Sequence, residues 1–139
     1  MDKIYDLSRE EKEEIKSSLS ENLQKKDRIK FAYIHGSFLK SKFHDIDIAV
    51  YVGEVVDKKD ILDFELEKEV ELSKLMKIPV DIRVMNNAPP NFCYKVIKDG
   101  ELLFSKDESA TSDFESLILV KHHDFKYYRE RYRKEALGV

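Results

Sequence analysis

The feature that most constrains this chain is a pair of aspartates set into an alternating apolar segment, Asp45-Ile46-Asp47-Ile48, which continues as Ala-Val-Tyr-Val. Alternation with a period of two is typical of a β-strand with one buried face, so residues 46–52 are predicted to form a strand. Side chains two positions apart in a strand point to the same side. The two carboxylates are therefore predicted to share one face of a sheet while the isoleucines enter the core.

The remaining elements are predicted from apolar spacing, capping boxes and turn residues. Ser8 and Glu11 form a capping box, which predicts a helix over residues 9 to about 25. The order continues with strand 29–34, strand 46–52, helix 60–76, strand 80–85, a short helix 92–98, strand 101–105 and a long last helix at about 113–137. One α/β (α+β) domain spanning 1–139 is expected, with a small mixed sheet and helices packed on one side of it.

A third aspartate extends the acidic face. Asp81 alternates with Val80 and Ile82 in the third predicted strand, and adjacent strands lie about 4.8 Å apart. If the second and third strands are neighbours, three carboxylates converge and repel one another unless a cation neutralises them. Oxygen ligands at that density suit Mg²⁺ or Mn²⁺. The alternative is that all three aspartates are turn or solvent-facing strand positions.

A glycine turn precedes the aspartate pair. Gly36 and Ser37 directly follow the first strand, where a missing side chain lets backbone N–H groups and a serine hydroxyl approach a phosphate closely. Lys40 and Lys42 lie a few residues further on and are candidate nucleotide-binding residues. A phosphate turn beside three aspartates is the residue set that phosphoryl transfer with two metal ions requires.

Composition excludes several other classes. One cysteine, Cys93, allows no intrachain disulfide and no cysteine-based zinc cage. A formal net charge of −3 argues against a broad basic face for extended nucleic acid. No apolar run approaches the roughly 20 residues of a membrane span, so a cytoplasmic protein without membrane contact is expected.

The segment from Gly36 to Ile48 resembles the signature of the DNA polymerase β-like nucleotidyltransferase superfamily, in which Gly-Ser precedes an Asp-hydrophobic-Asp motif. The small size and Asp81 resemble its minimal nucleotidyltransferase (MNT) branch, often encoded beside a helical HEPN ribonuclease toxin. The resemblance implies a polymerase β palm-like fold with Gly36 and Ser37 on the triphosphate. It also implies that Asp45 and Asp47 bind two metal ions, and that Asp81 completes the catalytic metal site and helps to deprotonate the acceptor.

The function implied by this resemblance is metal-dependent transfer of AMP from ATP to a hydroxyl, expected to be a tyrosine of a partner HEPN toxin, which makes the chain an antitoxin. The family commonly has an arginine soon after Gly-Ser, whereas Phe38 and Leu39 follow Ser37 here. Two alternatives therefore stay open: an antitoxin that occludes the toxin without catalysis, and a nucleotidyltransferase acting on a small molecule. Assembly with copies of itself or with a partner is also left open.

The last predicted helix carries many aromatic and basic residues between positions 125 and 133. Tyrosine and arginine are enriched at interface hot spots, which makes Arg129, Tyr132 and Arg133 candidates for docking a partner. Phe125, Tyr128 and Tyr132 have helical spacing, and an apolar core stripe is an equal alternative.

Overall fold

The computed structural model describes residues 3–54 and 57–137, and in the last helix it describes side chains up to His123 and at Glu130. The helices are α1 (Arg9–Gln24), α2 (Lys58–Met76), α3 (Pro90–Asp99) and α4 (Glu108–Leu137). The strands are β1 (Ile29–His35), β2 (Ile46–Val52), β3 (Val80–Val84) and β4 (Glu101–Ser105), and a short 3₁₀ helix covers Ser37–Leu39.

The four strands form one mixed sheet in the order β3-β2-β1-β4. Strand β1 is antiparallel to both β2 and β4, whereas β2 and β3 are parallel. A parallel pair needs a crossover connection, and α2 provides it. The predicted mixed α/β sheet is confirmed, including the neighbouring positions of the second and third strands.

Helices cover both faces of the sheet, so the prediction that they pack on one side is wrong. One apolar core joins the sheet to α1 and α2, and a second joins the opposite face to α3 and α4. The reason lies in β1, where Ala32 and Ile34 enter the first core while Phe31 and Tyr33 enter the second. A strand that is apolar on both faces needs cover on both.

Helix α2 closes the outer edge of β3 through side-chain acceptors. Three acceptors four residues apart on the helix take the backbone N–H groups of alternate strand residues, because four helical residues rise about 6.0 Å and two strand residues about 6.6 Å. The bonds are Val80 N–H to Ser73 Oγ (2.9 Å), Ile82 N–H to Glu69 Oε1 (3.1 Å) and Val84 N–H to Glu65 Oε2 (2.8 Å). The edge strand therefore has no open row of donors.

The last helix begins at Glu108, earlier than the predicted start near 113. The side chain of Asp107 accepts a hydrogen bond from the backbone N–H of Ala110 at 3.1 Å, which is the bond that an N-cap residue makes. The predicted start followed from Ser112 and Glu115, which have the spacing of a capping box, but residues 108–112 are already helical. Within the described residues, no helix is long and apolar enough to cross a membrane.

Candidate active site

A row of polar side chains crosses three strands on the face that α3 and α4 partly cover. The strand register pairs His35 with Asp47, and Asp47 with Asp81. Residues opposite one another in neighbouring strands project to the same side of the sheet. Asp45 lies two residues before Asp47, at the entrance to β2, and is partly buried. The structure thus brings together the three aspartates that the sequence singles out.

The charge on Asp47 is unfavourable in this setting. Burial raises the pKa of Asp47 to about 6, and the nearby carboxylates of Asp45 and Asp81 add to the effect. Each of these causes disfavours the ionised form. A bound cation would reverse the balance, because it compensates the negative charges that the protein has crowded together.

A fourth carboxylate that the sequence analysis missed stands beside Asp81. Burial raises the pKa of Glu69, the hydrogen bond from the Ile82 N–H opposes this, and the adjacent Asp81 carboxylate raises the pKa further. Glu69 belongs to the acceptor row that holds β3, so Asp81 has a neighbour on α2 as well as on β2. Sequence spacing gave no sign of it, because Glu69 is one of several glutamates on a charged helix.

The donor chemistry of this face suits a hard divalent cation, since Asp45, Asp47 and Asp81 offer only carboxylate oxygens. Among the residues that the structure describes, however, no three acidic, histidine or cysteine side chains form a ready-made metal cage. The three aspartates are therefore the residues available to hold a metal. They do not form a closed set of ligands as they stand.

Gly36 brings the turn after β1 directly against Asp47. Its φ of 82° and ψ of −162° lie in a region that favours glycine, and a Cβ at this position would overlap the Oδ2 atom of Asp47. Phe38, two residues later, is fully buried and packs on Phe43 with ring centroids 4.9 Å apart. The turn is thus fixed by Phe38 below it, while Gly36 and Ser37 remain exposed.

A cleft of about 370 Å³ opens between this turn and α3. One wall consists of residues from the predicted phosphate turn and the end of β1, and the other consists of residues from α3 that the sequence analysis missed. The lining residues are His35, Gly36, Ser37 and Lys40 on the first wall, and Phe92, Lys95, Val96 and Asp99 on the second. Lys42 is exposed and lies outside this cleft.

His35 belongs to the polar row and also lines the cleft, where neighbouring groups change its pKa and contact its ring. Burial lowers the pKa of His35, the Asp81 carboxylate opposes this, and the Lys95 ammonium lowers the pKa further. The ring of Phe92 meets the imidazole edge-on with centroids 5.7 Å apart. An imidazole with a lowered pKa is neutral at pH 7, so it adds no positive charge to the cleft.

The candidate docking residues Arg129, Tyr132 and Arg133, together with the alternative core stripe of Phe125, Tyr128 and Tyr132, lie outside the described side chains. Before that segment, α4 packs through Phe114 and Ile118 into the second core. Both the docking surface and the core stripe therefore stay predictions for this part of α4.

Comparisons with known proteins place this geometry in context. Residues 13–109 match the family described as Polymerase beta, Nucleotidyltransferase, and this span contains the glycine turn, all three aspartates and α3. A comparison with curated protein sequences found no significant match.

Several solved structures of toxin–antitoxin complexes contain a chain with a similar fold. The tri-AMPylated Shewanella oneidensis HEPN toxin in complex with MNT antitoxin matches with a TM-score of 0.70 and 17% identity, covering 91% of this chain and 98% of that chain. A toxin–antitoxin with AMP-PNP matches with a TM-score of 0.70 and 17% identity, over 88% and 98%. The MntA-HepT toxin–antitoxin matches with a TM-score of 0.62 and 19% identity, over 91% and 96%. These likenesses confirm the predicted fold.

Proposed function

The chain belongs to the polymerase β nucleotidyltransferase family, and on that premise we propose that it transfers AMP from ATP to a hydroxyl group of a partner protein. The observation that carries this proposal is the register of Asp47 with Asp81, on the same face as a glycine turn that packs against Asp47. A phosphate turn and a carboxylate row in contact are what phosphoryl transfer to a hydroxyl needs.

The proposed acceptor is a tyrosine of a HEPN-family toxin, which the modification silences, so that the chain acts as an antitoxin. Support comes from the fold shared with the complex of an MNT antitoxin and a tri-AMPylated HEPN toxin. The similar complex with AMP-PNP supports an adenine nucleotide as the donor. A cytoplasmic location and a single domain over 1–139 belong to the same proposal.

In the proposed mechanism, the Ser37 hydroxyl and the backbone N–H groups at the start of the 3₁₀ helix bind the triphosphate, with Lys40 beside them. Two Mg²⁺ or Mn²⁺ ions held by Asp45, Asp47 and Asp81 would supply charge neutralisation on the phosphates. Asp81 is the exposed member of the row, which supports assigning to its carboxylate the role of accepting the proton of an incoming hydroxyl. The acceptor oxygen bonds to the α-phosphorus as the bond to pyrophosphate breaks.

Two observations favour a second candidate, an antitoxin that occludes its toxin without catalysis. Phe38 follows Ser37 where the family commonly has an arginine nearby, and its side chain is buried in the core. The three aspartates also form no ready-made metal cage among the described residues. A small-molecule acceptor has no comparable support in this structure.

Intact-mass spectrometry of the toxin separates the two candidates. After incubation with ATP, Mg²⁺ and wild-type protein, the toxin is expected to gain the mass of at least one AMP group. Asp81→Asn should abolish this gain and retain nucleotide binding, whereas Asp63→Asn, an exposed carboxylate on α2, should leave the gain unchanged. An unmodified toxin that is neutralised equally by wild type and Asp81→Asn would establish occlusion instead.

A further inference from the structure

Helix α3 forms one wall of the cleft that contains the predicted phosphate turn. We propose that it supplies a phosphate-binding cation, Lys95, that completes the nucleotide site. This inference rests on the proposed function, because it takes a nucleoside triphosphate as the ligand. It adds a residue from a part of the chain more than fifty positions after Ser37, where neither the motif nor its spacing points.

The turn itself is poor in cations. Of the two residues that follow Ser37, Phe38 is fully buried and Leu39 packs against the same core. Lys40 is the basic residue of the turn that lines the cleft, since Lys42 lies outside it. Besides the metal ions of the proposed mechanism, a single lysine of the turn would then face the several negative charges of a triphosphate.

Helix α3 presents one side to the cleft and packs its other side into the core. Cys93 and Val96 are buried in the second core, with Val96 where that core meets the cleft. Phe92, Lys95 and Asp99 recur at intervals of three and four and line the cleft beside Val96. Across the gap they face the turn that carries Gly36 and Ser37. The position of Lys95 is therefore set by the packing of the whole helix.

The wall around Lys95 is ordered by ring contacts. The Arg83 guanidinium lies 4.5 Å from the centroid of the Phe92 ring, and His35 meets the same ring edge-on. Within the described part of the chain, Lys95 and Lys40 form no ion pair. Two unpaired ammonium groups on opposite walls of one cleft are typical of an anion site.

Substitution of Asp99 should change phosphate binding in the opposite direction to substitution of Lys95. Its carboxylate lies on the same wall, one helical turn after Lys95, and it disfavours a bound anion by like-charge repulsion. If the cleft binds phosphate, removal of the positive charge weakens binding and removal of the negative charge strengthens it. A purely structural role for α3 predicts no such reversal.

Isothermal titration calorimetry with MgATP and with inorganic tripolyphosphate measures this directly. Lys95→Gln is expected to weaken both ligands roughly 10-fold, the loss of one charge-assisted hydrogen bond. Lys95→Arg should stay within about 3-fold of wild type, and Asp99→Asn should bind a few-fold more tightly. The matched control is Lys98→Gln, which removes a lysine of the same helix that lies against Tyr94 and outside the cleft.

The outcomes separate this inference from the proposed function. If wild type binds MgATP and Lys95→Gln binds it equally well, α3 contributes no phosphate contact and the inference is wrong while the proposed function stands. If wild type binds neither MgATP nor tripolyphosphate, both fail. Equal losses in Lys95→Gln and Lys98→Gln would show a general charge effect, which also overturns the specific role of Lys95.

Discussion

The two faces of strand β2 present different kinds of residue. On the face toward α1 and α2, four alternate residues are fully or almost fully buried: Ile46, Ile48, Val50 and Val52. On the opposite face the strand opens with Asp45 and Asp47 and turns apolar only at Ala49. Adjacent residues of β2 therefore have opposite effects: the isoleucines and valines stabilise the fold by burial, and the aspartates repel one another.

The acidic half of the second face is bounded by aromatic packing. Tyr51 stacks on Phe31 with ring centroids 4.8 Å apart, and Phe114 of α4 lies 5.0 Å from Tyr51. This cover ends before the row of His35, Asp47 and Asp81. The site therefore lies where the apolar cover of this face ends. There the three carboxylates are at least partly exposed.

Substitutions of neighbouring residues on opposite faces of β2 should have opposite effects on stability. Ile48→Ala should lower the free energy of unfolding by about 2–5 kcal/mol, because it leaves a cavity in the first core. Asp47→Asn without metal should be neutral or mildly stabilising, since it removes one of several crowded charges. Urea unfolding at pH 7.5 with a chelator measures both. A large loss in Asp47→Asn would make Asp47 a structural residue.

The stabilisation by Mn²⁺ and ATP should depend on the aspartates and not on the apolar residues of the opposite face. With Mn²⁺ and ATP at 100 times the dissociation constant, the free energy of unfolding of wild type should rise by about 2.7 kcal/mol. Asp47→Asn should gain far less, whereas Ile48→Ala, although less stable, should gain as much as wild type. Differential scanning calorimetry gives the three shifts. Equal gains in wild type and Asp47→Asn would remove Asp47 from the metal site.

A smaller effect is expected where the turn meets the acidic face. Gly36→Ala should destabilise the fold by about 1–3 kcal/mol, because alanine is strained at a φ of 82° and its Cβ overlaps Asp47. Gly53→Ala is the control, since its Cβ would meet the flexible end of Lys30. Chemical denaturation of both variants measures the difference. Equal losses would contradict a special conformational need at Gly36.

The smallest effect is a pH dependence of the apo protein. Because the folded-state pKa of Asp47, about 6, lies above its ordinary value, protonation favours folding. This contribution is complete below the ordinary pKa and is lost as pH rises through about 6. With allowance for solvent screening, wild type should lose about 1–2 kcal/mol relative to Asp47→Asn between pH 5 and pH 7.5. Urea unfolding curves at both values, with a chelator, test it, and parallel behaviour of the two proteins would contradict the raised pKa.

The sequence predicted those parts of the molecule that local pattern determines. Alternation predicted β2 and β3, and the same alternation put Asp45, Asp47 and Asp81 on one face, because side-chain direction in a strand has a fixed period. The start of α4 was misplaced because Asp107 and Ser112 are both acceptable caps. Only the surrounding packing selects between them.

The rest depends on contacts between distant segments, which spacing does not report. Lys95 reaches the cleft because α3 packs through Val96 on the face of β1 that carries Phe31 and Tyr33. Glu69 reaches Asp81 because α2 runs along the edge of β3. Each is an ordinary charged residue on a helix until the tertiary structure is known. The cover on both faces was missed for a different reason: Phe31 and Tyr33 alternate with Ala32 and Ile34, so the sequence of β1 already indicated a strand that is apolar on both faces.

The hydrogen bonds from the backbone of β3 to side chains of α2 also couple the positions of the strand and the helix. Asp81 stands between Val80 and Ile82, and the backbone N–H groups of both are held by side chains of α2. The outward side of that helix exposes large apolar residues at helical spacing: Leu62, Leu66 and Val70. A shift of α2 along its axis would therefore move the backbone on either side of Asp81 through these two hydrogen bonds.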